Sequence, residues 1–379
     1  MIWPANPTYS QVCDSYVSYT ERHYGNEAIV VFDGYECTTS TKSAEQKRRA
    51  TKSSSRDIMF DESMQTVTTQ SAFLSNDGNK TRLISMLVQK FNDKFIKTRQ
   101  ASADADRLIV QTALSESGYS HPVVVIGTDT DLLVMLISLA PPDCDMYMLC
   151  STNPIALYNI TLIQNAVGNK KPHLLFAHSV TGCDTVSALF GVGKKKATDI
   201  LDQYTDDDSL DVFTNETSSK EQIASVGEKF ILKLYGAPKS VDKLDKQRYL
   251  SYNKSIRRSS LTTAFKLESL PPTSRAAYFH SLRTYLQVQQ WIGNTPDATK
   301  WGWYLQDVIL KPVETDQPAS PDTLLKMVAC GCDVGKGNCG RLCGCRKLAL
   351  KCGPGCRCAE NEQFCSNAPS CEADNDEQE

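Results

Sequence analysis

The sequence predicts an α/β fold: a mostly parallel sheet flanked by helices, followed by a helical region and a small cysteine-rich module. Three observations lead there. Short apolar runs at Ala28–Phe32, Val123–Ile126 and Met146–Cys150 are separated by segments whose apolar residues recur every three to four positions. That alternation is expected of parallel strands covered by helices on both faces. The chain has 379 residues, 41% hydrophobic and 22% charged, an ordinary globular balance with room for two domains and a module. Of its 15 cysteines, ten lie between Cys330 and Cys371, so one segment is chemically unlike the rest.

Tyr9, Val12, Cys13, Tyr16 and Val17 mark a helix over 9–24. Ala28–Phe32 reads as the first strand and ends in Asp33-Gly34-Tyr35. Residues 38–56 are rich in Ser, Thr, Lys and Arg. Helical spacing resumes over 79–96 (Leu83, Ile84, Leu87, Val88, Phe91) and again over 104–117 (Leu108, Ile109, Ala113, Leu114). Val123–Ile126 is the clearest strand. It runs into Gly127-Thr128-Asp129-Thr130-Asp131, and 132–139 continues as a helix. Met146–Cys150 reads as another strand, and the apolar run Leu174–Ala177 as a further sheet element leading into Thr181-Gly182-Cys183-Asp184. Residues 206–310 are mostly helical in pattern, with aromatics from Tyr278 to Tyr304 that suit a core.

Charge and composition exclude several classes. A formal net charge of -3 excludes a uniformly basic nucleic-acid coat, so nucleic-acid contact must come from local patches. The longest apolar candidate, Val123–Ala140, is broken by Asp129 and Asp131, so no membrane span is expected. Met1 to Tyr9 lacks an apolar signal core. The expectation is a nuclear or otherwise cytoplasmic protein, not a secreted one.

Three of the predicted sheet elements run into a carboxylate: Asp33, the pair Asp129 and Asp131, and Asp184. Asp104 and Asp106 open a helix. In a parallel α/β sheet, functional groups gather at the carboxyl ends of the strands. Six acids converging there repel one another unless hard cations neutralise them. Mg²⁺ or Mn²⁺ accepts oxygen ligands, keeps waters and bridges to substrate phosphates. A local reading stands beside this one, since Asp after a strand is also a favoured cap or turn residue. His178, six residues before Asp184, either faces the same site or is structural.

The order of these motifs resembles flap-endonuclease/XPG-type nucleases. Val31-Phe32-Asp33-Gly34-Tyr35 and the basic stretch around Lys47, Arg48 and Arg49 are similar to that family's second acidic strand and the segment after it. Ala103-Asp104-Ala105-Asp106 resembles its E-A-E/D pair, Gly127–Asp131 its D-x-D, and Gly182-Cys183-Asp184-Thr185 its G-S-D-Y. Gly191-Val192-Gly193-Lys194-Lys195-Lys196-Ala197 resembles its G-I-G-P-K-x-A hairpin. The resemblance covers about residues 28–205 and implies a PIN-like fold and two-metal phosphodiester hydrolysis. It also implies that the basic segment arches around the substrate strand. Lys42–Arg56 holds six basic residues and one acid, which equally suits a basic loop. In its own right the hairpin offers glycines ahead of a helix N-terminus and three lysines, a phosphate-binding arrangement, or a plain turn with a solvated charge run. Family members carry one more Asp on an earlier strand. Met1 to Gly25 offers only Asp14, within a helical pattern, so the chain is expected to begin after that strand.

The tail spaces its cysteines as Cys330-x-Cys332-x6-Cys339-x3-Cys343-x-Cys345-x6-Cys352-x3-Cys356-x-Cys358-x6-Cys365. Thiolates at this density point to zinc. Three tetrahedral zincs need twelve ligand positions, which nine thiolates supply if three bridge. Little apolar content accompanies them, so metal must drive folding. The spacing resembles the tesmin-type CXC domain, which implies a three-zinc cluster and DNA contact. Seven basic residues against Asp333 between Lys326 and Arg357, including Arg341, Arg346 and Lys347, suit phosphate contact. Leu342 stands where that family commonly has Tyr.

The expected organisation is therefore a PIN-like domain at 1–205, incomplete at its start, a helical extension at 206–310, a linker at 311–325, a CXC zinc domain at 326–371 and an acidic disordered tail at 372–379. The expected partner is nucleic acid, DNA before RNA. Catalytic phosphodiester cleavage and a non-catalytic DNA-binding scaffold both fit. The combination looks mobile-element-derived.

Overall fold

The computed structural model describes residues 3–34, 41, 55–102, 104–118, 121–152, 154–204, 208–258, 267–307, 309–318, 330–332, 339–347, 351–352, 356–358 and 365–367. The chain divides into two compact units. Met1–Ala188, Lys194–Ser219 and Leu282–Val313 form the first; Leu189–Gly193, Lys220–Ser281 and Glu314–Glu379 form the second.

The first unit opens with helix α1 (Tyr9–Tyr24). Its start is set by a capping box in which the Thr8 hydroxyl accepts from the Gln11 N–H and the Gln11 side chain accepts from the Thr8 N–H, two donors that the helix itself leaves orphaned. Strand β1 (Ile29–Phe32) follows. Helices α2 (Gln70–Leu74) and α3 (Asp77–Asp93) then lead to strand β2 (Lys97–Gln100), which pairs parallel with β1 from Ile29↔Lys97 to Phe32↔Gln100. One core joins these elements: Tyr9, Val12, Cys13 and Val17 of α1 pack with Phe73, Leu83, Leu87, Phe91 and Ile96. Asp14, on the outer face of α1, pairs with Lys90 at 3.0 Å. Asn79 is fully buried, and its side chain is hydrogen-bonded to three backbone groups, at Arg56, Ile58 and Phe73.

Helix α4 (Ala105–Glu116), strand β3 (Val123–Ile126), helix α5 (Thr130–Leu139), strand β4 (Met146–Cys150) and strand β5 (Ala156–Asn159) continue the unit. β3 and β4 are parallel, and β5 returns antiparallel on β4. Helix α6 (Ile160–Val167) follows directly, capped by the Asn159 side chain. The fold is thus α/β, with parallel pairing at β1–β2 and β3–β4 and helices between the strands.

The structure corrects one expected element. Leu174–Ala177 is not a sheet element but part of helix α7 (Leu174–Val180), all seven residues of which are buried. A short run that is apolar on every side carries no period to separate strand from helix. β2 was not anticipated either, because Lys-Thr-Arg-Gln shows no apolar alternation. Helix α8 (Lys194–Leu201) also belongs to this unit. So does a hairpin of β6 (Trp303–Gln306) and β7 (Ile309–Pro312), packed on Leu286.

The second unit contains helices α9 (Lys220–Leu234) and α10 (Leu244–Arg258), the start of α11 (Ser274–Ile292), and the cysteine-rich segment with the short helix α12 (Gly344–Lys347). Glu228 of α9 accepts from the Leu244 N–H and from Lys243, which fixes the start of α10. A bidentate Arg275–Asp316 pair holds the 314–318 segment against α11.

Candidate functional site

Four of the six candidate acids sit at helix starts. Asp104 is the N-cap of α4, its Oδ1 accepting from the Asp106 N–H at 3.1 Å. Asp129 is the N-cap of α5, its Oδ1 accepting from the Asp131 N–H at 2.9 Å. In each D-x-D the first carboxylate satisfies an orphan N–H and the second sits in the first helical turn, where the helix dipole favours an anion. Asp33, just past β1, accepts from the Ala105 N–H at 3.1 Å and so ties that strand to the start of α4. Gly34 permits this approach. A Cβ there would lie 2.1 Å from the Ala101 carbonyl oxygen and 2.4 Å from the Ser102 carbonyl carbon.

Four of the six acids share one cavity of about 500 Å³. Asp104, Asp106, Asp131 and Asp184 line it together with Arg107, Thr185, Gln287, Gln290 and Trp291. Asp33 and Asp129 are not in its lining. Asp184 is exposed, after a turn in which Gly182 adopts φ +107 with Ala188 packed against its backbone. Asp131 is held by His178, whose Nε2 lies 2.6 Å from its Oδ1; the imidazole is 6% exposed and 5.9 Å from the Trp291 ring. Arg107 donates to the Gly293 carbonyl at 2.5 Å, and Thr185 to Gln287. Among the described residues, no three carboxylate or histidine ligand atoms of this cavity lie within 4.8 Å of one another.

Of the basic candidates, Lys47, Arg48 and Arg49 lie outside the described residues, as does the acidic tail. Lys194 is turned inward. Its Nζ donates to the carbonyls of His178, at 2.5 Å, and of Gly182, and burial pulls its ammonium below the ordinary lysine range. Lys195 and Lys196 are exposed. Gly191 (φ +68) and Gly193 are exposed in a turn.

Sequence reasoning missed Arg107, Gln287, Gln290 and Trp291 as cavity residues. Gln287, Gln290 and Trp291 follow one another at helical spacing on α11. No single stripe marked them, since this helix carries polar residues on every side, His280, Ser281, Arg283, Thr284 and Gln289 among them.

In the second unit the sulfurs form their own core. Cys330, Cys339, Cys343, Cys345, Cys352, Cys356 and Cys358 are buried together, with no other apolar side chain in the cluster among the described residues, and Cys332 and Cys365 lie alongside. No described cysteine forms a disulfide. Three groups bring four sulfurs within 4.8 Å: Cys330, Cys332, Cys339 and Cys343; Cys330, Cys345, Cys352 and Cys356; and Cys330, Cys339, Cys352 and Cys358. Cys365 Sγ lies 3.6 Å from Cys358 Sγ. The sulfur–sulfur separations include 3.4 Å for Cys345–Cys356, 3.7 Å for Cys330–Cys352 and 3.8 Å for Cys330–Cys339. Four sulfurs at zinc-bond length around one tetrahedral ion would be about 3.8 Å apart, so the donor set and its spacing fit zinc. Burial and then sulfur neighbours push the Cys345 thiol up, whereas in Cys330 burial is outweighed by the Cys332 N–H and neighbouring sulfurs, which bring it down to about 6. Asn367 Nδ2 donates to Cys352 Sγ at 3.3 Å. Arg346 is engaged with the Ser366 carbonyl; Arg341, Lys347 and Leu342 are exposed.

No helix among the described residues is long and apolar enough to cross a membrane. No protein-family model matches the chain, and no curated protein does. Several solved structures resemble it, the following two among them. One is the T5 D15 protein co-crystallised with metal ions, at 15% identity and a TM-score of 0.32, covering 60% of this chain and 82% of that one. The other is the catalytic core of Rad2 in complex with a DNA substrate, at 14% identity and a TM-score of 0.33, covering 73% of this chain and 77% of that one.

Proposed function

We propose that the first unit is a nuclease-like nucleic-acid-binding domain and that the second carries a zinc module that helps to tether it, most readily to DNA. The observation that carries the reading is the single cavity lined by Asp104, Asp106, Asp131 and Asp184. Carboxylates from three chain segments line one cavity of mixed polar and apolar surface, whose described lining includes one cation, Arg107. Mg²⁺ or Mn²⁺, bound through one or two carboxylates, waters and substrate phosphates, would supply neutralisation and an activated water. Asp106, Asp131 and Asp184 are the residues from which those one or two carboxylates would come, with Asp104 also in the lining. His178 fixes the rotamer of Asp131. Lys195 and Lys196 would meet phosphates on the first unit, and the Gly191–Gly193 turn, Arg341 and Lys347 each on the second.

For zinc, exchanging Cys365 for Cys330 in the third group gives three tetrahedral sites from nine cysteines. Cys330, Cys339 and Cys352 then each serve two ions. Cys365 is already beside Cys358.

A second reading, a DNA-binding scaffold without cleavage, is favoured by the absence of any three cavity carboxylates within 4.8 Å among the described residues. One experiment separates the two: Mg²⁺- or Mn²⁺-dependent cleavage of flap, single-stranded and duplex DNA by the wild type and by Asp131→Asn/Asp184→Asn. Equal cleavage by both excludes the cavity as the site. Binding without cleavage by the wild type selects the scaffold. Zinc content per chain, measured by native mass spectrometry, should be three.

A further inference from the structure

The turn that leaves α3 is built around a residue that neither the cavity nor the core explains. In Phe91-Asn92-Asp93-Lys94-Phe95-Ile96-Lys97, the Phe95 N–H bonds to the Asn92 carbonyl and the Ile96 N–H to the Phe91 carbonyl, both at 3.0 Å. This is the usual way of closing a helix with one left-handed residue, a place that glycine or asparagine ordinarily takes. Here it is Phe95, at φ +59. Its neighbours Phe91 and Ile96 enter the core, but Phe95 is 90% exposed, the most exposed large apolar side chain among the described residues. The ring therefore gains nothing from burial and sits on a backbone conformation that opposes it.

Its surroundings are cationic. Lys94, Lys97 and Arg99 are exposed, against Asp93 within the same stretch. Arg99 is steadied by donating to the neutral Thr112 hydroxyl at 3.1 Å. β2 then leads from Lys97 to Gln100, and Gln100, Ala101 and Ser102 line the acidic cavity. At strand rise, Lys97 and Gln100 are about 10 Å apart.

We infer that Phe95, with Lys94, Lys97 and Arg99, is a stacking platform for single-stranded nucleic acid lying along β2 outside the acidic cavity. An exposed ring flanked by cations offers a base its face and the backbone its counter-charge. A duplex keeps its bases stacked on each other and presents no such face. The inference rests on the nucleic-acid reading above and adds a strandedness preference and a location to it.

The test uses the full chain, fluorescein-labelled twelve-nucleotide oligo-dT or oligo-rU, and a twelve-base-pair duplex, with anisotropy read across a salt series. Phe95→Ala should weaken single-strand binding about five- to 150-fold, the range of one stacked base, and leave duplex affinity unchanged. Phe95→Trp should retain binding. Lys94→Gln/Lys97→Gln should lower the single-strand salt slope by about 1.4. Phe95→Gly supplies the control for folding: it relieves the left-handed backbone and should raise Tm by about 2–4 °C while losing the same affinity as alanine. Single-strand binding that survives Phe95→Ala and Phe95→Gly overturns the platform but not the nucleic-acid reading. A wild type that binds none of the probes removes both. Self-association abolished by Phe95→Ala, with oligonucleotide affinity unchanged, would assign the face to a second copy and overturn the proposal.

Discussion

Replacing His178 with alanine should destabilise the first unit by about 3 kcal/mol. The imidazole is almost wholly buried, and its Nε2 lies 2.6 Å from Asp131 Oδ1. A hydrogen bond to a charged group contributes about 1.5–3 kcal/mol, and breaking a buried pair by removing one partner costs about 3–5 kcal/mol. The Asp131 side chain keeps 18% of its exposure, so water can replace part of the lost contact. That places the expectation at the lower end of the second range. A double-mutant cycle isolates the pair: His178→Ala, Asp131→Asn and the double variant, unfolded in urea and followed by tryptophan fluorescence. The coupling should be about 1.5–3 kcal/mol. Coupling below about 0.5 kcal/mol, the level at which distant sites simply add, would mean that His178 does not organise the cavity.

Zinc removal should act on the cysteine module alone. A structural zinc contributes about 10–16 kcal/mol, as much as or more than the whole stability of an ordinary domain. Stripping metal with an organomercurial and a chelator should therefore expose 330–367 to protease, read by mass spectrometry; a metal-free module that stays resistant refutes the cluster. Gly34→Ala should lower Tm, because the new Cβ would meet only backbone, 2.1–2.6 Å away at Ala101 and Ser102, a clash of about 1–3 kcal/mol; an unchanged Tm would show that the 101–102 segment yields freely. At low pH, hydrogen bonds from Arg82 and Arg275 hold the Asp57 and Asp316 carboxyls below their ordinary value of 3.8. Their contribution is present above that value and lost as pH falls through the lower folded values. Asp57→Asn/Asp316→Asn should thus flatten the acid limb of stability against pH, and an unaltered slope would refute the assignment.

What could be read from the sequence depended on whether the signal was local. α1 and α3 keep an apolar stripe against one core, and Tyr9, Val12, Cys13, Leu83 and Leu87 can be picked out from spacing alone. β3 is legible because Val123–Ile126 is wholly apolar and ends in a turn. β2 was not, since Lys97–Gln100 owes its strand conformation to pairing with β1. α7 failed for the opposite reason, burial on all sides. The nine zinc-candidate cysteines were legible because ligand spacing is itself a local pattern. Which sulfurs fall into two groups is not, since Cys330 meets Cys352 and Cys358 across more than twenty residues. The same holds for His178 and Asp131, 47 residues apart.

The two D-x-D segments show that the local and the chemical readings of an aspartate are not rivals. In Asp104-Ala105-Asp106 and Asp129-Thr130-Asp131 the first carboxylate caps a helix, and the second residue follows in its first turn. Asp104 also reaches the cavity, whereas Asp129 does not, so the second pair separates the roles. Asparagine caps a helix as well as aspartate does. Asp129→Asn should therefore leave stability within about 0.5 kcal/mol and leave any cleavage intact, while Asp129→Ala should cost about 1 kcal/mol. Asp131→Asn should abolish cleavage. If instead Asp129→Asn abolished cleavage at unaltered stability, the first carboxylate would be acting through its charge. The division between an aspartate that positions and an aspartate that faces substrate would then be wrong.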